Sequence, residues 1–168
     1  INFNHSQDVY ASIVASPRFG WYNPMAEIDY SQSFLHTDGF NINKPSNRPC
    51  FNFRLNNRFN ITRSLKAFLN MRYKTSQLND LQYTKPFARV DIKLTKSFLN
   101  DALEIGVYAN DLFKTDKERW TMYGSHTIMT KDCYGYGRCV GMTVSYNFNT
   151  AKSKYKGTGA GNAEKRRL

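Results

Sequence analysis

Between residues 138 and 148 the side chains alternate without a break. Val140, Met142, Val144, Tyr146 and Phe148 are apolar or aromatic, and Gly141, Thr143, Ser145 and Asn147 between them are small or polar. A repeat of two sends each set to its own face of an extended strand. One face therefore needs an apolar surrounding while the other suits water, and any fold for this chain has to supply both.

The same period recurs upstream. Ala26, Ile28, Tyr30 and Phe34 alternate with Glu27, Asp29, Ser31 and Ser33, which predicts a strand over 25–35. Phe51, Phe53, Leu55 and Phe59 face away from Asn52, Arg54, Asn56, Arg58 and Asn60. After a short connection at 61–64, Leu65, Ala67, Leu69, Met71 and Tyr73 oppose Lys66, Phe68, Asn70, Arg72 and Lys74. Strand, short turn, strand reads as an antiparallel hairpin. Ala88, Val90, Ile92 and Leu94 against Phe87, Arg89, Asp91, Lys93 and Thr95 continue the pattern. Beyond a turn at 98–102, Leu103, Ile105, Val107 and Ala109 against Glu104, Gly106, Tyr108 and Asn110 repeat it. The first fifteen residues are less regular, with one short apolar run from Val9 to Ala15, and predict one further strand. The sum is an all-β antiparallel chain of seven or eight strands, and Ile1 in place of an initiator Met fits a segment of a larger protein.

Connection lengths sort these strands. Long segments at 36–49, 75–86 and 114–136 alternate with short ones at 61–64 and 98–102, and the last long segment has room for strand extensions near Trp120 to Tyr123 and Thr127 to Thr130. Short turns on one side and long loops on the other are the asymmetry of outer-membrane barrels. A soluble sandwich has no reason for it, although it would satisfy the alternation equally well by packing its apolar rows against a second sheet. Mean hydropathy is -0.61 and no run approaches the ~20 apolar residues of a spanning helix. A strand that crosses with one polar face escapes that test. The chain also carries 12 Phe, 11 Tyr and 2 Trp, with Trp21, Tyr22, Tyr73, Phe98, Tyr146 and Phe148 near strand ends, where interface girdles form.

An up-and-down transmembrane β-barrel segment over 1–148 is therefore expected, with residues 149–168 as a flexible basic periplasmic tail. In that setting Arg54, Arg58, Lys66, Arg72, Arg89, Asp91 and Lys93 become candidate lumen-facing residues. Val140, Met142 and Val144 face lipid, and Tyr146 and Phe148 end the final strand at the periplasmic rim. With Lys74 added, the lumen-facing cations outnumber Asp91 and Glu104, so the lumen field favours an anionic solute or an acidic protein surface. Of the net charge of +11, the tail holds +5.

Signals for chemistry are weak. His5, His36 and His126 fall in irregular segments far apart in sequence and suit solvated positions better than a metal site. Asp111 reads as a strand-end carboxylate that satisfies backbone donors. The Gly157-Thr158-Gly159-Ala160-Gly161 stretch lacks the strand and helix that make a phosphate loop. Cys133 and Cys139, across two glycines, leave a loop disulfide open beside the plainer reading of free thiols. The chain is expected to be non-enzymatic, without a cofactor or metal and without a nucleic-acid partner.

Several stretches carry a resemblance: Gly20-Trp21-Tyr22-Asn23-Pro24, Lys85-Pro86-Phe87 leading into Val90 to Leu99, Asn110-Asp111-Leu112-Phe113, and Arg119-Trp120-Thr121-Met122-Tyr123-Gly124. The most specific is the run from Val144 through Lys152 to Glu164-Lys165-Arg166-Arg167-Leu168. Together they resemble the C-terminal end of a Bacteroidota TonB-dependent-receptor-type outer-membrane protein. The resemblance implies a transporter-sized barrel of about 22 strands with a plugged lumen, in the outer membrane of a Gram-negative cell. Implied partners are outer-membrane lipid, the barrel assembly machinery reading Tyr146 and Phe148, and, in the full-length protein, a plug domain and TonB. The nutrient is not specified. Two further readings are a small complete barrel acting as adhesin or anchor, and a soluble basic β-sandwich that binds polyanions.

Overall fold

The computed structural model describes residues 5–36, 48–79, 81–135 and 137–148, and among them every regular element is a strand. In chain order these are β1 (His5–Ala15), β2 (Tyr22–His36), β3 (Cys50–Asn60), β4 (Leu65–Lys74), β5 (Gln77–Asn79), β6 (Gln82–Thr84), β7 (Phe87–Phe98), β8 (Leu103–Asn110), β9 (Lys117–Tyr123), β10 (Ile128–Tyr134) and β11 (Cys139–Tyr146). Seven of them form one antiparallel sheet in the order β1-β2-β3-β4-β7-β8-β11. The other four form a small sheet, β10-β9-β6-β5. The large sheet, called the wall below, is open, with β1 and β11 at its edges.

The small sheet occupies the long connections. β5 and β6 lie between β4 and β7, and β9 and β10 between β8 and β11, so both hairpins rise from the same end of the wall. Alternation along the sequence predicts only irregular chain at 75–86 and short extensions in 114–136. In the structure the second span is a seven-residue-per-strand hairpin, paired from Ile128 with Tyr123 to Tyr134 with Lys117. β1 is also longer and better registered than its broken pattern predicts, running opposite β2 from His5 with His36 to Ala15 with Ala26. The two histidines assigned to irregular segments thus end neighbouring strands. β2 starts at Tyr22 and admits Pro24, because β1 reaches only to Ala26 and leaves no ladder bond for the missing N–H on that side.

The short turns at the opposite end are tight. In the β3–β4 turn the Thr62 hydroxyl accepts bonds from the Ser64 and Leu65 amides at 3.3 and 3.0 Å. The β7–β8 turn holds Leu99, Asn100 and Asp101 at φ of 53°, 53° and 69°, a left-handed run that Asn and Asp tolerate and Leu does not favour.

Register decides the faces. Ile28, Phe53, Tyr73 and Ala88 stand in one row, and Leu69, Ile92 and Ala109 in another, both on one face of the wall. Val140, Met142, Val144 and Tyr146 lie on that same face, opposite Ala109, Val107, Ile105 and Leu103. Among the described residues no layer covers it: Ile28, Phe53, Ile92, Val107 and Met142 are all exposed. A sandwich would bury this row, so the soluble two-layer reading fails on the apolar side. Apolar burial is correspondingly sparse, with Cys50 and Leu78 the buried hydrophobics among the described residues. Cys133 and Cys139 are free thiols.

Candidate functional site: the polar face of the wall

The face opposite the apolar rows collects the charges. Glu27 pairs in register with Arg54, Arg54 with Arg72, and Arg72 with Arg89, so three guanidinium groups stand side by side across β3, β4 and β7. Neighbouring strands lie about 5 Å apart, and like charges directly opposite one another destabilise a sheet unless they are neutralised. Two of the three are. Arg54 donates through Nη2 to Glu27 at 2.6 Å and to Asp29 at 2.7 Å. Arg89 binds Asp91 through Nε at 2.9 Å and Asp116 through Nη1 at 2.7 Å.

Asp29 is the most heavily satisfied group on this face. Its Oδ1 accepts from the Tyr10 and Ser12 hydroxyls at 3.1 and 2.8 Å, and its Oδ2 from Asn52 and Arg54 at 2.8 and 2.7 Å. At 7% exposure a carboxylate needs such a set, since an unpaired buried charge costs several kcal/mol. The bonds tie β1, β2 and β3 together through side chains as well as backbone. Arg72 is different: it is exposed and forms no ion pair among the described residues. Arg54 Nε is buried without a partner. The middle of the arginine row therefore keeps donor capacity. Two hollows open there, one of about 200 Å³ lined by Glu27, Arg54, Arg72, Arg89 and Asp91, and one of about 410 Å³ lined by Tyr10, Asp29, Asn52, Arg54, Arg72 and Lys74.

The remaining candidates take up separate positions on the same face. Arg58 lies over the Phe68 ring, 5.8 Å from its centroid, opposite it in register. Lys66 faces Thr95, and Lys93 stands between Phe68 and Tyr108. Tyr108 in turn covers Gly141, where any Cβ would meet its ring, so the aromatic fills the space the glycine leaves on β11. The seven sequence-derived candidates are thus on one face but not in one cluster: Arg54, Arg72, Arg89 and Asp91 meet around the smaller hollow, while Arg58, Lys66 and Lys93 do not line it.

The anions of this face are less legible in the sequence than its cations. Glu27 and Asp29 alternate with Ala26, Ile28 and Tyr30, so their face was legible, but not that both would be committed to Arg54. Asp116 had no periodic signal. It comes from the β8–β9 connection and fastens the base of the small sheet to Arg89. Asp111 beside it is 1% exposed and caps that connection, its Oδ1 accepting from the Thr115 and Asp116 amides at 2.8 and 3.2 Å. This is the backbone-satisfying role expected of it. Among the described residues no group of three or more His, Cys, Asp or Glu side chains is arranged to hold a metal ion.

The geometry is that of a sheet with one uncovered apolar face and one ion-paired polar face, carrying its long connections at one end. No curated protein and no solved structure matches the chain. The profile described as the outer membrane protein beta-barrel family matches residues 1–146, which span all eleven strands, and the chain belongs to that family.

Proposed function

We propose that this chain forms part of the wall and extracellular mouth of a TonB-dependent-type receptor that imports a nutrient across the outer membrane. The observation that carries the reading is the split of the wall into an uncovered apolar face and a polar face with a partly unneutralised arginine row, crowned by a second sheet. The apolar face, with Val140, Met142 and Val144, contacts lipid. The polar face lines the lumen, where the exposed Arg72, unpaired among the described residues, offers bonds to an anionic solute or to carboxylates of a plug domain. The small sheet is extracellular, and the tight turns at 61–64 and 98–102 are periplasmic, as is the segment after Phe148. Tyr146 and Phe148, stacked edge to face at 4.7 Å, present the terminal aromatics to the barrel assembly machinery. The chain's own work is structural and selective, with no catalysis and no cofactor.

The experiment is deletion of the gene in the parent bacterium followed by growth on single nutrients at limiting supply. A growth defect confined to one nutrient class, reproduced by removing the energy-coupling protein TonB, is the expected result. Import that persists without TonB contradicts the reading.

A further inference from the structure

At the end of the wall nearest the small sheet, two hollows share a boundary. A groove of about 400 Å³ runs along the apolar face, lined by Ile28, Phe53, Leu55, Met71 and Val90, and ends at Tyr73 and Ala88. A second hollow of about 370 Å³ begins at the same Tyr73 and Ala88 and is completed by Pro86, Lys114, Lys117 and Arg119. The first is a slot for hydrocarbon. The second has an apolar floor and three cations, with no carboxylate in its lining.

Nearby anions leave these cations available. Asp116 is bound to Arg89 and Glu118 to Lys131, and Asp132, directly across from Arg119, makes no ion pair with it. Lys114 and Lys117 both rest over the Tyr134 ring, with Nζ at 5.0 and 4.7 Å from its centroid, which holds two like charges close together. Arg119 donates through Nη2 to the Pro86 carbonyl at 2.9 Å, while its Nε is buried without a partner. A compact anion with several acceptor oxygens would bridge all three.

We infer that this pair of hollows is a binding site for a phosphate-bearing lipid of the extracellular leaflet, its acyl chain in the groove below Tyr73 and Ala88 and its phosphate between Lys114, Lys117 and Arg119. The inference rests on the reading that the apolar face is in lipid and the small sheet outside. Charge complementarity and the continuity of the two hollows select a lipid over a free anion, because only a lipid fills both. The groove's lining is completed by Ala26, Glu27, Arg54, Arg72 and Arg89, which ties it to the strands that carry the arginine row.

The test uses the full chain in phosphatidylcholine nanodiscs doped with diphosphoryl lipid A, with bound lipid counted by native mass spectrometry. The expected result is enrichment of lipid A over phosphatidylcholine. Lys114→Gln, at an exposed position, and Lys117→Gln, at a half-buried one, should each lower it about two- to fivefold, and the triple variant with Arg119→Gln about tenfold or more. Lys131→Gln, committed to Glu118, should leave it unchanged. Equal enrichment in the wild type and the triple variant would overturn the site, as would displacement of the lipid by millimolar inorganic phosphate. Protein that enters the nanodisc without enriching lipid A refutes the site alone. Protein that stays outside refutes the membrane reading with it.

Discussion

The wall and the small sheet obey the same antiparallel pairing rule but were not equally readable. The wall's strands from β2 onward carry a clear period of two because each separates two different solvents, and an error of one residue would move a whole row to the wrong face. The small sheet has no such asymmetry. β9 alternates Lys117, Arg119 and Thr121 with Glu118, Trp120 and Met122, and β10 has the exposed Ile128 and Met129 side by side. Where both faces meet similar surroundings, the sequence needs no binary pattern, and pairing rests on backbone bonds and local contacts. The difference shows that periodicity records the contrast between the two sides of a sheet, not the sheet itself.

The sharpest way to break that comparison is to place a charge on either face of one strand. Val144→Arg, on the apolar face of β11, should cost about 2–4 kcal/mol in a bilayer-inserted protein. Thr143→Arg, one residue away on the polar face, should be much milder. Urea unfolding from lipid vesicles measures both, and equal costs would contradict the assigned faces. Next in size is Arg54→Gln, which removes charged donors from Glu27 and from the buried Asp29. Hydrogen bonds to charged groups are worth about 1.5–3 kcal/mol, discounted here because Arg54 is partly exposed, so a loss of about 1–2 kcal/mol is expected in the same assay.

Gly141→Ala drives a methyl into the Tyr108 ring and should cost about 1–2 kcal/mol. In a double-mutant cycle with Tyr108→Ala the double variant should lose less than the sum of the two single losses, since removing the ring makes room for the methyl.

The smallest effects belong to the small sheet. Lys131 donates to Glu118 and holds that carboxyl below its ordinary value of 4.5. A carboxylate depressed in the folded state contributes stability above the unfolded value and loses it as pH falls through the lower folded one. Acidification through that window should slightly lower the amide protection factors over residues 117–134, that is, exchange relative to the unstructured rate at the same pH, and Glu118→Gln should remove this pH-dependent change. Because the pair is fully exposed, moderate salt should weaken it further.

How much was legible follows from the same physics. The strands β3, β4, β7, β8 and β11, their faces and the two tight turns could be read because Phe51 to Phe59, Leu65 to Tyr73 and Ala88 to Leu94 alternate cleanly. β1 was legible as one strand but not in its full length or register, since polar residues up to Asp8 break the pattern before Val9; Asp8 and Ser12 both stand on the polar side, with Ser33 and Asp29 as partners. The arginine row was legible as residues on a face but not as a row: that Arg54, Arg72 and Arg89 stand abreast depends on inter-strand register, fixed by turn lengths. The Lys114, Lys117 and Arg119 cluster left no trace, because it is assembled from a connection and a short strand against Tyr73 and Ala88, and no local pattern encodes that meeting. The tail at 149–168 lies outside the described residues.

Site-directed spin labelling along β11, in protein with its three cysteines replaced by serine and reconstituted in a bilayer, tests the central claim most directly. Labels placed singly from position 140 to 146 report collisions with oxygen, which concentrates in lipid, and with a water-soluble nickel chelate. The expected result is a period of two, with 140, 142, 144 and 146 accessible to oxygen and 141, 143 and 145 to the chelate. Uniform exposure of all seven positions to the chelate, or the opposite phase, would contradict a wall with lipid on one face and water on the other.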